Sequence, residues 1–217
     1  MQKSLVLIAM LSALIALQTS AQIIGSFSGG DPLSVGPGTA GFEFTVGAQS
    51  LTIQTVAVFD EFNDGVLNSS HEVGIWTSAD QTLVASADVT PQTATLVNGF
   101  FYVNLASPVT LQSGTTYRIG AQYSDVDLDL ARGNVPTANL AVNGITLGDA
   151  YLSTGTGFTF PDLNVSGADS GFFGPNAGFS AVPEPASTAI VTAAALAALA
   201  AIRRWKARQS ASAAAAA

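Results

Sequence analysis

The chain has 217 residues, a formal net charge of −8 at pH 7 and a hydrophobic fraction of 48%. It contains no cysteine and one histidine, which excludes disulfides, thiol nucleophiles, iron–sulfur clusters and any metal site that needs several histidines from one chain. Between residues 22 and 181 only Arg118 and Arg132 are basic, and such an acidic surface is expected to repel nucleic acid and anionic lipid headgroups.

The N-terminus is typical of a secretory signal peptide. Lys3 precedes a largely apolar run over residues 5–17, and small residues follow that run just before Gln22. The run is too short for a comfortable transmembrane helix. We therefore predict a signal peptide over residues 1–21, which signal peptidase removes between Ala21 and Gln22, so that the rest of the chain is exported.

Residues 22–181 predict one all-β domain. The segment 22–41 is rich in glycine, serine and proline, which is typical of a loop, and alternation of apolar and polar residues begins at Phe42. Short strands separated by turn residues then follow at roughly ten-residue spacing, which is the pattern of an antiparallel β-sandwich or barrel. The predicted strands are 42–46, 51–59, 72–77, 83–89, 100–105 and 117–123.

The pattern is weaker after residue 123. Residues 140–147, 151–152 and 158–160 have the composition of strands, and the glycine-rich stretch 167–179 predicts either a final edge strand or a linker. With the six preceding strands, these segments give a domain of about 160 residues, which is long enough to bury a hydrophobic core. We predict that this domain is an antiparallel β-sandwich.

Several segments of this predicted domain resemble exported bacterial β-domains of unassigned function, which often look like jelly rolls. The resemblance rests on a tryptophan-bearing strand at residues 73–76, a strand that ends in small residues at 82–86, and a Gly-Thr-Thr turn before an aromatic residue at 114–117. It spans residues 42–125 and implies a jelly-roll-like sandwich rather than any particular activity.

The first candidate calcium site lies in an acidic loop. Asp60 and Asp64 occupy positions one and five of a partial calcium-loop pattern. Phe62 and His71 occupy positions three and twelve, where an EF-hand needs oxygen ligands, so the loop is not an EF-hand. A lone calcium site and a solvated acidic turn both fit the pattern.

A second acidic segment, residues 125–130, alternates aspartate with aliphatic side chains. As a β-strand it would place Asp125, Asp127 and Asp129 on one face and the aliphatic residues on the other. Carboxylates this close repel one another unless they are exposed or bridged by a cation. The segment therefore predicts either a calcium site or a strand edge that is protected by charge.

Few residues indicate enzymatic chemistry. Residues 36–41 have the spacing of a dinucleotide fingerprint, but a loop precedes them and a strand follows, so we predict a turn. His71 follows two serines, yet the chain has no Gly-x-Ser-x-Gly elbow, and a surface or capping histidine is expected. Trp76, Phe101 and Tyr102 are expected in the core; if exposed, they could stack on sugar rings.

The C-terminal residues 182–208 have three parts. Val182, Pro183, Glu184 and Pro185 form an extended spacer, because the two prolines restrict the backbone. Residues 186–202 are apolar and of helix length, and they predict a transmembrane helix. The basic residues that would hold the cytoplasmic end of this helix are Arg203, Arg204, Lys206 and Arg208. The remaining serine and alanine residues, 209–217, predict a disordered tail.

This order of segments, with its Pro-Glu-Pro tripeptide, resembles the PEP-CTERM sorting signal of exported bacterial proteins. The resemblance implies a precursor that carries an N-terminal signal peptide and a C-terminal tag, which a membrane-embedded exosortase processes. It also implies a setting in bacteria that produce exopolysaccharide. The resemblance concerns where the protein goes and not what its β-domain does there.

We therefore predict a non-enzymatic structural or adhesive protein of the bacterial envelope or exopolysaccharide matrix, anchored transiently in the membrane by its tail. Its expected partners are signal peptidase, an exosortase-type enzyme, the membrane and a polysaccharide, and no cofactor is expected unless calcium binds. One alternative is a carbohydrate-binding module, with or without calcium, which an exposed aromatic platform would favour. Another is a secreted hydrolase, which a pocket holding His71 with a serine and an aspartate would favour.

Overall fold

Antiparallel β-strands make up the folded part of the chain. The computed structural model describes residues 21–26, 28–124, 127–136, 141–142, 144–153, 155–165, 170–181 and 202–203. The strands within these residues are β1 Ala21–Gln22, β2 Ile24–Ser26, β3 Asp31–Leu33, β4 Gly38–Val46, β5 Leu51–Phe59, β6 His71–Thr77, β7 Leu83–Val89, β8 Thr95–Val97, β9 Phe100–Leu111, β10 Thr116–Tyr123, β11 Ala131–Pro136, β12 Ala141–Val142, β13 Ile145–Leu152, β14 Leu163–Asn164, β15 Ser170–Phe173 and β16 Pro175–Ala181.

The chain divides into two compact units, Met1–Ala181 and Val182–Ala217. The first unit contains all sixteen strands, and of the second only residues 202–203 are described. None of the described residues belongs to a helix long and apolar enough to cross a membrane. The predicted membrane segment, residues 186–202, lies outside the described residues except for its last residue.

The two largest of the four sheets among the described residues enclose most of the hydrophobic core, and the smaller sheets β15-β11-β3 and β12-β2 add to it. Of the two largest sheets, one has the strand order β1-β16-β5-β9-β8 and the other has the order β14-β13-β4-β10-β6-β7. Their inner faces contribute apolar side chains to one buried cluster, which includes Ile53 and Val56 from β5 and Phe42 and Phe44 from β4. Burial on one face of each sheet is the arrangement of a β-sandwich, and the all-β antiparallel prediction is confirmed.

Strong alternation predicted strands reliably in the middle of the chain. The predicted strands at 51–59 and 83–89 coincide with β5 and β7, and the one at 117–123 falls within β10. In β10 the side chains of Tyr117 and Ile119 are buried, while Arg118 between them is only partly covered. This alternation of burial is what the period-two pattern indicates.

The predicted loop at residues 22–41 is wrong. These residues contain β1, β2 and β3, and β4 begins at Gly38 rather than Phe42. Ile23 and Ile24 are fully buried, and β1 pairs with β16, more than 150 residues further along the chain. Local composition carries no signal for such distant pairing, and tertiary contacts override it.

The last strand of the domain also differs from expectation. The described part of the stretch 167–179 is not a linker. It contains β15, which is an edge strand of the small sheet β15-β11-β3, and most of β16, which lies between β1 and β5 in its sheet and is not an edge strand. Phe179 is buried in the core and Asn176 is fully buried beside Ile24. The sandwich is therefore completed by its final strand, which ends at Ala181.

Two other predicted strands are irregular segments. The described part of the acidic segment, residues 127–130, is a loop, because Asp127 accepts hydrogen bonds from the backbone amides of Ser124 and Asp129. Residues 158–160 are also irregular, and they lie against the outer face of a sheet. Neither segment gains the ladder of hydrogen bonds that a strand would need.

The outer face of the second sheet is covered by the segment 155–161. Trp76 on β6 packs against the rings of Phe158 and Phe160, with centroid separations of 4.9 and 6.3 Å. A methyl group at Gly74 would overlap the side chains of Phe158 and Leu83 and crowd the Trp76 ring, so glycine there makes room for the covering segment. Trp76 is consequently buried, although it lies on the face opposite Val73 and Ile75.

Candidate metal centre

His71 lies at one end of the sandwich, between the two sheets. It is the first residue of β6 and is fully buried, like Val73 and Ile75 on the same face of that strand. β6 pairs with β10 in antiparallel register, so the start of β6 lies beside the end of β10 at Tyr123. The ring of Tyr123 stands 5.2 Å from that of His71, measured between centroids.

The loop that leaves β10 brings two carboxylates to the same imidazole. The Nε2 atom of His71 lies 3.3 Å from Oδ2 of Asp129 and 3.8 Å from Oδ1 of Asp127. One ligand atom from each of the three residues lies within 4.8 Å of the others. The side chains of Asp127 and Asp129 are only 4% and 8% exposed, so the cluster is shielded from solvent.

Backbone groups fix the orientation of every member of the cluster. Nδ1 of His71 is 2.9 Å from the carbonyl oxygen of Gln122. Asp129 accepts hydrogen bonds from the amides of Asn68 and Ser69, which precede β6, and from the side-chain amide of Asn68. The carboxylate of Asp129 therefore ties the loop before β6 to the loop after β10.

Charge determines the protonation of this cluster. Burial alone would lower the pKa of His71, but the hydrogen bond to Asp129 and the negative charge of Asp127 outweigh burial and raise it. Burial alone would raise the pKa of Asp129, but the hydrogen bonds from His71 and from the amides of Asn68 and Ser69 lower it. The site thus favours an ionised Asp129 and positive charge at the Nε2 position of His71.

Among the described residues, this is the one group of three or more acidic or histidine side chains with metal-ligand spacing. The sequence had drawn attention to His71 and to the aspartates separately, without a reason to join them. The surface or capping position expected for His71 is wrong, because its side chain is fully buried. Asn68 and Ser69, which hold Asp129 in place, were not recognised from the sequence.

Asp60 and Asp64, the candidate calcium ligands, hold their own loop together. Asp60 is buried, and its two carboxylate oxygens accept hydrogen bonds from the amides of Asp64 and Gly65. Asp64 accepts one from the amide of Val66. Such bonds to neighbouring amides are typical of a turn stabilised by aspartate.

The aromatic side chains that could have formed a sugar-binding platform are in the interior. Trp76, Phe101 and Tyr102 are 4%, 6% and 9% exposed. The hydroxyl of Tyr102 accepts a hydrogen bond from the side chain of Asn176. The core positions expected for these three residues are confirmed.

The geometry around His71 differs from that of a catalytic triad. Both imidazole nitrogens face acceptor oxygens, one on the Gln122 backbone and the others on Asp127 and Asp129. A general base must instead point a nitrogen at the hydroxyl whose proton it takes. A separate cavity of about 360 Å³ is lined by Ala21, Leu51, Ile145 and Phe179 among others, and none of its lining side chains ionises.

The targeting residues lie at the margins of the described chain. Ala21 and Gln22, which flank the predicted cleavage, form β1. The sorting motif Val182, Pro183, Glu184 and Pro185 lies outside the described residues, as do Arg204, Lys206 and Arg208. Arg203 is described and exposed.

Comparison with known proteins adds little to this picture. No protein-family model matches the chain, and neither does any curated protein. Among solved structures, the VP2 subviral particle of infectious bursal disease virus is similar at 14% sequence identity with a TM-score of 0.24, and T=1 particles of that virus are similar at 12% with a TM-score of 0.22. Each comparison covers 77% of this chain and 41% of the viral chain, so this chain spans less than half of the viral proteins. TM-scores this low do not establish a shared fold.

Proposed function

We propose that this chain is an exported structural or adhesive protein of the bacterial envelope or exopolysaccharide matrix, sorted through a PEP-CTERM-like tail. Its β-domain, which we take to be jelly-roll-like, is the part delivered outside the cytoplasm. The signal peptide and the membrane helix at residues 186–202 hold the precursor at the membrane during export. Signal peptidase and an exosortase-type enzyme are the proposed processing partners.

The pairing of β1 with β16 is the observation that carries this proposal. Ala21 pairs with Phe179 and Gln22 with Gly178 in antiparallel register. In such a pair the start of one strand lies beside the end of the other, so Ala21 and Ala181 lie at the same end of the sheet. This arrangement suits a precursor that is held by both termini in one membrane.

The extent of the fold supports the same proposal. The core requires β16, which ends at Ala181, immediately before the proline-rich spacer. The boundary between the two compact units also lies there. Cleavage anywhere within residues 182–208 would therefore release the domain with all of its strands.

We predict that the exported protein begins at Gln22. Cleavage after Ala21 would leave Gln22 free to keep its pairing with Gly178 on β16. Intact-mass spectrometry of the exported protein measures this directly, and it also detects an N-terminal glutamine that has cyclised. A chain that begins at Met1, or beyond residue 27, would contradict the prediction.

We predict that the two parts of the tail fail in different ways when they are changed. Alanine at Pro183, Glu184 and Pro185 removes the recognition spacer and should leave an uncut precursor in the membrane. Glutamine at the four basic residues removes the charges that resist translocation, so the precursor should escape the membrane uncut. The basic residues concerned are Arg203, Arg204, Lys206 and Arg208.

Fractionation and blotting of each variant, in hosts with and without the sorting enzyme, measure both effects. A matched control replaces Ser210 and Ser212, in the predicted disordered tail, with alanine and should be processed like the wild type. Identical processing of the wild type and both tail variants would refute the sorting signal. The tail would then be a plain C-terminal membrane anchor.

A further inference from the structure

We propose that His71, Asp127 and Asp129 form a structural binding site for a divalent transition-metal cation of the zinc class. The site goes beyond the proposed sorting function, since it belongs to the β-domain and does not involve the tail. It would join the start of β6, the end of β10 and the loop that leads into β11.

The tautomer of His71 is the first step of the argument. The Gln122 carbonyl oxygen, 2.9 Å from Nδ1, can only accept, so the proton of a neutral imidazole must be on Nδ1. The lone pair of Nε2 then points at carboxylate oxygens of Asp129 and Asp127, which are acceptors as well. Three acceptors facing one another around a fully buried imidazole need a positive charge between them.

The distances admit a metal cation at this position. Nε2 lies 3.3 Å from Oδ2 of Asp129, which is a long hydrogen bond, and 3.8 Å from Oδ1 of Asp127, which is too far for one. Ligands bound about 2.0–2.2 Å from a tetrahedral metal stand roughly 3.3–3.6 Å apart, so the shorter separation is at the lower end of this range and the longer one is slightly above it.

The chemistry of the donors selects the class of metal. One imidazole nitrogen and two carboxylate oxygens suit zinc and its first-row neighbours, whereas calcium and magnesium prefer oxygen ligands alone. Two ionised carboxylates also neutralise a dication, which lowers the cost of burying it. Three protein ligands leave one tetrahedral position for water.

The surroundings of the site resemble the outer shell of known metal centres. A metal-binding histidine commonly donates its second N–H to a backbone carbonyl, as Nδ1 of His71 does to Gln122. Ligating carboxylates are commonly hydrogen-bonded in turn, and the amides of Asn68 and Ser69 serve Asp129 in this way. Both contacts fix the orientation of the ligand side chains.

The test measures metal binding by the full-length protein, purified without a polyhistidine tag and stripped with chelator. Equilibrium dialysis against Zn²⁺, followed by elemental analysis, should give one tightly bound equivalent per chain. Co²⁺ in place of Zn²⁺ should give the visible absorption of a tetrahedral ion. The melting temperature should rise with Zn²⁺ and stay unchanged with Ca²⁺ or Mg²⁺, because binding to the native state alone stabilises it.

The variant Asp127→Asn removes one charged ligand with little change of shape, and it should weaken Zn²⁺ binding by at least about tenfold. The matched control, Asp64→Asn, changes an exposed acid of the other acidic loop and should bind Zn²⁺ like the wild type. Circular dichroism confirms that each variant is folded before it is compared.

Three results would overturn the proposal. They are a wild-type protein that binds no zinc, equal zinc affinity in Asp127→Asn and the wild type, and zinc loss in Asp64→Asn as large as in Asp127→Asn. Stabilisation by Ca²⁺ but not Zn²⁺ would also overturn it, in favour of an oxygen-only site. None of these results would affect the tail-processing experiment, so the two proposals fail separately.

Discussion

Replacing Trp76 with alanine is expected to lower the free energy of unfolding of the β-domain by about 3–5 kcal/mol. The side chain is 4% exposed and lies between the outer face of its sheet and the segment 155–161. Removing it would leave a cavity and would also take away the surface on which Phe158 and Phe160 pack. Both losses act in the same direction, because the cost of truncation includes the cavity left behind.

Urea unfolding followed by circular dichroism measures this change as a shift of the midpoint. The matched control is Phe62→Ala, which truncates an aromatic side chain that is 57% exposed and should change stability by no more than about 0.5 kcal/mol. Equal losses for the two variants would mean that Trp76 is not buried as described. An exposed Trp76 would instead support the alternative of an aromatic platform that binds sugar rings.

Trp76 also gives a direct optical check of that alternative. The chain has two tryptophans, Trp76 and Trp205, so a Trp205→Phe background isolates the emission of Trp76. A buried ring should emit at shorter wavelength than free tryptophan and resist quenching by acrylamide. Addition of soluble exopolysaccharide should leave its emission unchanged.

The sequence predicted the central strands well because their burial alternates locally. In β10, for example, Tyr117, Ile119 and Ala121 face the core and the residues between them face outward, which the period of two records directly. The burial of Trp76 was also predicted correctly. The segment that covers it was not predicted, because that segment is more than 70 residues away and has no regular structure.

The candidate metal centre illustrates the same limit. His71 and the Asp127–Asp129 loop meet because β6 lies beside β10, a pairing of Val73 with Ala121 that no local pattern encodes. The alternation of aspartates indicated a strand, yet Asp127 instead binds backbone amides of its own loop. The carboxylates of Asp127 and Asp129 nevertheless lie close to the same nitrogen of His71, whereas Asp125 lies outside the described residues.

The N-terminal strands were missed for a related reason. The backbone amide and the backbone carbonyl of Ile24 both form hydrogen bonds with the side chain of Asn176, where two paired strands would use backbone groups on both sides. A fully buried asparagine in a glycine-rich stretch near the C-terminus gives no sequence signal for contact with residue 24. The contact between Asn176 and Ile24 can be recognised only in the folded structure, where the two segments lie side by side.

Replacing Asn176 with alanine is therefore expected to cost about 3 kcal/mol or more. The Oδ1 atom accepts hydrogen bonds from the amides of Ile24 and Ala177 at 3.0 and 2.8 Å. The Nδ2 group donates to the Ile24 carbonyl at 2.8 Å and to the Tyr102 hydroxyl at 3.0 Å. Alanine would leave these buried groups without this partner, and each such group costs about 1–3 kcal/mol, less whatever entering water recovers.

Urea unfolding of Asn176→Ala measures the total, and Asn104→Ala on strand β9 of the same sheet is the control. Asn104 is exposed, so its replacement should change stability by no more than about 0.5 kcal/mol. If the two asparagine variants unfold at the same urea concentration, Asn176 does not join the N-terminal segment to the core.

A double-mutant cycle with Tyr102→Phe then divides the effect of Asn176 between its two neighbours. The hydrogen bond from the Asn176 side chain to the Tyr102 hydroxyl should appear as a coupling energy of about 1 kcal/mol, since both groups are neutral. The larger remainder should belong to Ile24, and faster hydrogen exchange at the Ile24 amide in Asn176→Ala would show it. If exchange at that amide is unchanged while global stability falls, Asn176 acts within its own sheet. The N-terminal segment would then be held by backbone contacts instead. One of these is the hydrogen bond that the Ile23 amide donates to the Ala177 carbonyl oxygen, 2.9 Å away.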